Sequence, residues 1–383
     1  MSKFFKILLF LEKGNKTIFD CSVSEQQKYI ESLGEPVDLQ DRSYKQYRCH
    51  MYLVPRWKRI LQSLGAAVFF PLILLILFIK GFRLKFKEKI AAICDFTTMI
   101  EVVPDELVAE FHPDNVHWDE SLALRMSDLP FIFSLVVRYL RHPYFVLKVV
   151  LKIALYQSVI CRYDPRTFIV GNEYSFTSSI LTAYCRNKGI CHIDVMHGEK
   201  LYYLRDSFFC FDRCYVWAPY YVNLFIRLKA APDQFRVAVP PSLHIDTAAY
   251  KNSKVYADVK YYLGDNAEED FASIIESLRP FRDAGMSVKY RLHPRYSNRV
   301  IVCKYCSNED IEDPNEVPIQ ESISNMTYAV GSYSTVLMQA LLAGKTVILD
   351  DVTYRKTYDQ LKEMGYILSN KPHHRLSNLS GIC

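Results

Sequence analysis

The sequence predicts an α/β fold class: two Rossmann-like domains facing a cleft, with membrane-associated helices in the N-terminal one. Three observations lead there. From Thr167 onward strand patterns alternate with helix patterns, and the alternation restarts near Val255. Pro232, Pro240 and Pro241 punctuate the join. The stretch Met326–Asp351, MTYAVGSYSTVLMQALLAGKTVILDD, reads as strand, hydroxyl-rich turn, helix and second strand. Residues 1–235 and 236–383 are the expected domains, and a crevice between two such domains is where substrates usually bind.

Taken in order, Met1 to Lys13 carries the apolar run Ile7–Leu11 behind Lys3 and Lys6. The run is short for a signal peptide and no small-residue cleavage site follows, so a first β-strand is expected. Val23 to Leu33 reads as a polar helix stopped by Gly34. Leu64 to Ile79, LGAAVFFPLILLILFI, is the strongest apolar segment, with Pro71 in its middle. A helix of that length covers about 24 Å, short of the ~30 Å hydrocarbon core. Its flanks are both basic: Arg56, Lys58 and Arg59 before it, Lys80, Arg83, Lys85, Lys87 and Lys89 after it. The positive-inside rule then gives no orientation. An in-plane or re-entrant helix is expected ahead of a single crossing by 64–79, with a buried core helix as the third reading.

Leu129 to Tyr163 contains no Asp or Glu and is broken by Pro143 into two helices. Arg138, Arg141, Lys148, Lys152 and Arg162 are set among its apolar residues. Helices near 64–90 and 130–155 are therefore expected to lie on an anionic membrane surface. A basic groove for an anionic acceptor is the compatible alternative for the second. Beyond it come strand Phe168–Val170, helix Phe176–Lys188 closed by Gly189, strand His192–Met196, and strand Cys214–Trp217 with an aromatic helix to about Leu228. The second domain gives strand Val259–Leu263, helix Glu268–Asp283, strand Val288–Leu292 and then the Met326–Asp351 stretch.

The formal charge of +5 sits beside apolar segments, which favours a membrane surface over nucleic acid. The 11 cysteines follow no framework spacing and suit a reducing compartment. Cys303 with Cys306, and Cys210 with Cys214, lie too far apart in sequence to suggest one zinc site, and no metal is expected. P-loop, G-x-G-x-x-G and G-x-S-x-G patterns are all missing from the sequence.

The chemistry is expected at strand ends. Gly331, Ser332, Ser334 and Thr335 lie between a strand and a helix, where free N–H groups and the helix dipole favour a phosphate. Arg291, His293, Pro294 and Arg295 follow the strand Val288–Leu292. Arginine pairs with phosphate oxygens, and histidine donates to a departing phosphate. His112-Pro113 and His142-Pro143 repeat the dipeptide away from any strand. In the first domain His197, Gly198 and Glu199 close one strand, and Glu173 follows the preceding one. His197, Glu199 or Glu173 is the expected base for an attacking hydroxyl.

These motifs resemble those of bacterial GT-B glycosyltransferases that build capsules and lipopolysaccharides, above all sialyltransferases and polysialyltransferases using CMP-sialic acid. The resemblance covers about residues 165–370. It rests on His293-Pro294 and on Ser334-Thr335 within Gly331-Ser332-Tyr333-Ser334-Thr335. It implies that the His-Pro pair holds the CMP moiety, that the hydroxyls hold its phosphate, and that Glu173 or Glu199 acts as base. The chain is also similar to CDP-glycerol polyolphosphate transferases, whose His-Gly after a first-domain strand matches His197-Gly198, with the histidine as base. Capsule Kdo transferases are similar too. The expectation is a metal-independent transferase with no cofactor besides a CMP-linked nucleotide-sugar donor. Its acceptor is a glycan or lipid-linked glycan, and its place is the cytoplasmic face of the bacterial inner membrane. A non-catalytic polysaccharide assembly protein and a soluble nucleotide-binding protein are the competing readings.

Overall fold

The computed structural model describes residues 15–95, 99–116, 118, 121–250, 255–264, 266–371 and 373–379. The strand expected over Met1–Lys13 lies outside the described residues. The chain falls into two compact units, Met1–His197 with Tyr202–Val239, and Gly198–Leu201 with Pro240–Cys383.

The first unit is built on a parallel sheet. Its strands are β1 (Ala92–Cys94), β2 (Asp114–Asn115), β3 (Thr167–Val170), β4 (Cys191–Val195), β5 (Arg213–Val216) and β6 (Phe235–Val237). They lie in the order β2-β1-β3-β4-β5-β6. All four residues of β3 are buried, as expected for a central strand covered on both faces. The helix Ser178–Asn187 carries the chain from β3 to β4 and ends at Gly189, whose φ of +71° is costly for any other residue. The proline-marked join contains a strand that the sequence reading passed over. β6 pairs with β5, Cys214 opposite Phe235, so Pro232 sits in a short turn before it.

The apolar segment extends beyond its charge-free core. The helix runs from Arg56 to Gly81, 26 residues with Pro71 inside, or about 39 Å, so it is not short of a bilayer core. Lys58, Ala66, Leu77 and Gly81 are buried, and the last three fall on one face. Leu64, Val68, Phe69, Leu72, Leu75, Ile76 and Ile79 are exposed. A Cβ on Gly81 would stand 1.8 Å from the Leu124 carbonyl oxygen, and Leu124 N–H donates to Leu77 O at 3.0 Å. The C-terminal end of the helix is therefore held by backbone against backbone.

Leu129–Arg138 and Pro143–Tyr163 are the two helices expected around Pro143. By length and composition Arg56–Gly81 and Pro143–Tyr163 both suffice to cross a membrane, but 11% of the apolar window of the first is buried against 56% of the second. Phe145, Val149, Val150, Ile153 and Ala154 are fully enclosed. Pro143–Tyr163 packs against both Arg56–Gly81 and Ser178–Asn187. Exposed apolar side chains in this region remain at Phe133, Val137 and Leu140.

The second unit has β7 (Ala257–Tyr262), β8 (Val288–Arg291), β9 (Ile311–Glu312), β10 (Met326–Gly331), β11 (Thr346–Leu349) and β12 (His374–Arg375). All pair in parallel, in the order β12-β11-β10-β7-β8-β9. The helix expected over Glu268–Asp283 is broken into Asp270–Ser277 and Arg279–Asp283, with Pro280 in the first turn of the second piece, where its missing N–H costs nothing. Phe271, Ile274, Leu278 and Phe281 pack with Val259, Tyr261 and Tyr290 in the core between these helices and the sheet.

Candidate active site

In the second unit the chain enters at β7, adds β8 and β9 on one side, then returns to add β10 to β12 on the other. The order is that of a nucleotide-binding sheet, and the reversal falls between β7 and β10. Ligands of such sheets bind outside the carboxyl ends of the strands at that point. A cavity of about 610 Å³ lies there. Tyr262, Leu263 and Gly264 come to it from β7, Arg291 to Tyr296 from β8, and Tyr333 to Val336 from the turn after β10.

His293, Pro294, Arg295, Ser334 and Thr335 are thus brought to one wall system, although about forty residues separate the two motifs. The turn after β8 is fixed by its own polar groups. His293 N–H donates to Ser297 Oγ at 2.8 Å, and Arg295 N–H donates to His293 Nδ1 at 3.1 Å. With Nδ1 accepting, a neutral imidazole carries its proton on Nε2. The ring rests 4.5 Å from that of Tyr296. Ser334 is the N-cap of Thr335–Leu342: its backbone is extended and its Oγ accepts from Val336 N–H at 3.2 Å. A serine hydroxyl that accepts one bond still has a proton to donate.

Arg291 is placed differently from the sequence expectation. It lines the cavity, but its guanidinium is turned into the sheet. Nη1 pairs with Glu312 Oε1 at 2.6 Å and Nη2 donates to Val317 O at 2.8 Å. Lys260 Nζ holds the other oxygen of Glu312 at 2.6 Å and also donates to Ser322 O. All three residues are buried. Burial alone would raise the Glu312 carboxyl, but Lys260 and Arg291 hold it below its ordinary value. Burial pulls the Lys260 ammonium down against the push of Glu312. Two basic side chains share one carboxylate in this network, and of the three residues Arg291 lines the cavity. Arg295, exposed, is the arginine whose head group is not committed to that network. Gly331 ends β10 and Ser332 follows it, and neither lines the cavity; Gly331 O accepts from Asp350 N–H.

The His197-Gly198-Glu199 motif is divided. His197 belongs to the first unit and Glu199 to the second. Glu199 lines the cavity with His293, and Tyr333 OH donates to its backbone oxygen at 3.3 Å. The sequence reading placed Glu199 in the first domain because it follows β4, but residues 198–201 leave that sheet before the chain returns at Tyr202. In the first unit Glu173 is fully buried, and its Oε1 lies 4.0 Å from His197 Nδ1, with the imidazole 40% exposed. The turn bearing Glu173 is held at both ends. Asn172 N–H donates to buried Asp194 at 2.7 Å, and Gln46 Nε2 donates to Glu173 O and to Arg205 O, both at 2.9 Å. A carboxylate beside an imidazole orients it and supports its protonation, the arrangement of a general base.

Tyr333 and Tyr262 escaped the sequence reading. Tyr333 lies inside the serine-rich motif, and an aromatic flanked by hydroxyl residues at a strand end was the available signal. Tyr262 carried none, because it reads as strand core. Gln46, on the helix Leu39–Tyr52, was also without signal. Among the described residues no group of three or more His, Cys, Asp or Glu could hold a metal ion.

No protein-family model and no curated protein matches the chain. Several solved structures are similar in architecture. A variant of the wall teichoic acid polymerase TagF covers 85% of this chain and 87% of its own length, at 10% identity and a TM-score of 0.45. A UDP-GlcNAc 2-epimerase of Methanocaldococcus jannaschii, solved with UDP-GlcNAc and UDP, covers 74% and 93%, at 14% identity and 0.44. The glycotransferase of kitacinnamycin covers 74% and 85%, at 11% identity and 0.42.

Proposed function

We propose that the chain is a GT-B glycosyltransferase that moves a sugar from a cytidine-activated donor to a glycan or lipid-linked glycan, with CMP-sialic acid as the first donor to test. The observation that carries this reading is the convergence of His293, Arg295, Ser334 and Thr335 on one cavity at the reversal point of a nucleotide-binding sheet. In the reaction the acceptor hydroxyl oxygen bonds to the anomeric carbon. The bond from that carbon to the donor phosphate oxygen breaks, and its electron pair leaves with CMP. Ser334, Thr335 and the amides opening Thr335–Leu342 hold the phosphate. The His293 Nε2 proton and the Arg295 charge stabilise it as it departs. The hydroxyl proton goes to a base, for which Glu199 in the second unit and His197 backed by Glu173 in the first are the candidates.

A polyolphosphate transfer from CDP-glycerol is the second reading, favoured by the imidazole–carboxylate contact of His197 and Glu173. Kdo transfer from CMP-Kdo uses the same donor cavity. Membrane attachment is monotopic: Ala66, Leu77 and Gly81 are buried on one face, and the helix packs against Pro143–Tyr163, which supports a helix lying in the plane of the lipid surface over one that crosses. The surface is the cytoplasmic face of the inner membrane.

Thermal-shift titration of the detergent-solubilised chain with CMP-sialic acid, CMP-Kdo, CDP-glycerol and UDP-sugars tests the donor class. Stabilisation by cytidine donors ahead of uridine donors is expected. No stabilisation by any of them overturns the reading.

A further inference from the structure

The first unit holds a second cavity, of about 360 Å³, that the donor chemistry does not use. It is small for a ligand site, within the usual ~300–1,000 Å³. Lys16, His50, Lys148 and Arg205 line it, with Tyr144 and Gln62, and none of its lining residues is acidic. It is a basic enclosure, unlike a scatter of surface lysines. Arg205 is fixed between two rings, 5.3 Å from the centroid of Tyr174 and 5.5 Å from that of Tyr203. Its backbone oxygen accepts from both Gln46 and His50. Arg205 Nε and Gln62 Oε1 are buried and make no hydrogen bond among the described residues. A buried guanidinium N–H left without an acceptor is costly, and an anion in the cavity would satisfy it. The surroundings are already set for one: burial first, and the Arg205 charge second, push the His50 imidazole down to about 3. His50 is therefore a neutral partner, and the charge is supplied by Lys16, Lys148 and Arg205.

The cavity adjoins the candidate base. The Tyr174 ring that Arg205 contacts lies 6.3 Å from the His197 ring, and Glu173 is the residue before it. On another wall it meets Gln62, at the start of the exposed apolar helix.

We propose that this cavity binds an anionic group of the acceptor, a phosphate or a carboxylate, gripped by Arg205 and Lys148. The proposal rests on the transferase reading. Its place supplies the reason: an anion anchored at Arg205 holds the rest of the acceptor beside His197. The anion has two sources of the same chemistry, the phosphate of a polyprenyl carrier or the carboxylate of an acidic sugar at the growing end.

The test is calorimetric titration of the full chain in neutral detergent micelles. The probes are inorganic phosphate, N-acetylneuraminate and micelles doped with a polyprenyl phosphate, with CMP titrated in parallel. Saturable anion binding that weakens about tenfold or more in Arg205→Gln and Lys148→Gln, and is restored in part by Arg205→Lys, is expected. CMP binding stays unchanged in these variants. Preference for the doped micelles assigns the lipid phosphate, and preference for neuraminate assigns the sugar carboxylate. Anion binding indifferent to both substitutions, or no saturable anion binding while CMP binds normally, overturns the proposal and leaves the transferase reading standing. Loss of CMP binding by the unaltered chain is the separate failure, that of the donor reading. Should Arg205→Gln fold poorly, Lys16→Gln with Lys148→Gln makes the same test on residues nearer the surface.

Discussion

Glu312 is the residue whose removal the structure prices most clearly. It stands 3% exposed between two buried cations, 2.6 Å from Lys260 Nζ and 2.6 Å from Arg291 Nη1. Glu312→Gln keeps the shape and removes the charge, so two buried cations lose their counter-charge together. Breaking a buried pair in this way costs about 3–5 kcal/mol, a large share of the ~5–15 kcal/mol that holds a typical domain folded. Lys260→Met added to Glu312→Gln removes one of the stranded cations, and the double variant is expected to be more stable than Glu312→Gln alone, a non-additivity typical of contacting residues. Denaturant melts of the full chain in neutral detergent, followed at the second unit, measure both. The acid limb gives an independent reading. Glu312 is held below its ordinary value, so its contribution is present above about pH 4.3 and is lost as pH falls through its folded value. Glu312→Gln should flatten that limb. A loss below about 1 kcal/mol, or a double variant less stable than the single one, would refute the charge-network reasoning.

Other substitutions probe the site and the helix. Ser334→Ala removes a cap and a phosphate donor: CMP affinity is expected to fall about 5- to 30-fold while cytidine affinity holds, and equal losses for both ligands would sink the phosphate role. His293→Ala is expected to slow transfer about 100-fold or more with nucleotide still bound; glycan synthesis intact in both variants would favour the non-catalytic assembly reading. Gly81→Ala puts a methyl group into the Leu124 carbonyl and should cost about 1–3 kcal/mol in thermal denaturation. Leu72→Lys with Ile76→Lys alters only exposed positions, so folding should persist while flotation with anionic vesicles fails. Continued flotation would remove this helix from the membrane account.

The sheets were legible because their strands are short apolar runs separated by glycine and proline signals. Thr346–Leu349 and the Ser334-capped helix stand where the pattern put them. β6 was hidden inside a proline cluster, since Phe-Arg-Val has too few residues to show a period. The two motifs that line one cavity of the second unit stood out because each closely follows a strand. What linear sequence withheld was direction. Arg291 is the last residue of β8 and its guanidinium is claimed by Glu312 on β9, whereas His293 lies in the turn beyond the strand. Glu199 sits two residues past His197, and nothing in that spacing marks the point where the chain passes to the other unit. Of the basic cavity the sequence offered only Lys148, within the basic groove weighed for Leu129–Tyr163, because Lys16 and Arg205 come from separate segments of the chain.

The Arg56–Gly81 helix has two sides under unlike demands. Its inner stripe must match a particular surface atom by atom, down to a glycine that leaves room for one carbonyl. The outer side need only be oily, so Leu72, Leu75 or Ile79 is exchangeable for any greasy residue. Under the proposed lipid attachment, the rigid seam behind the helix sets how deeply the protein rides, and enriching the outer side further tightens adhesion without sinking the body.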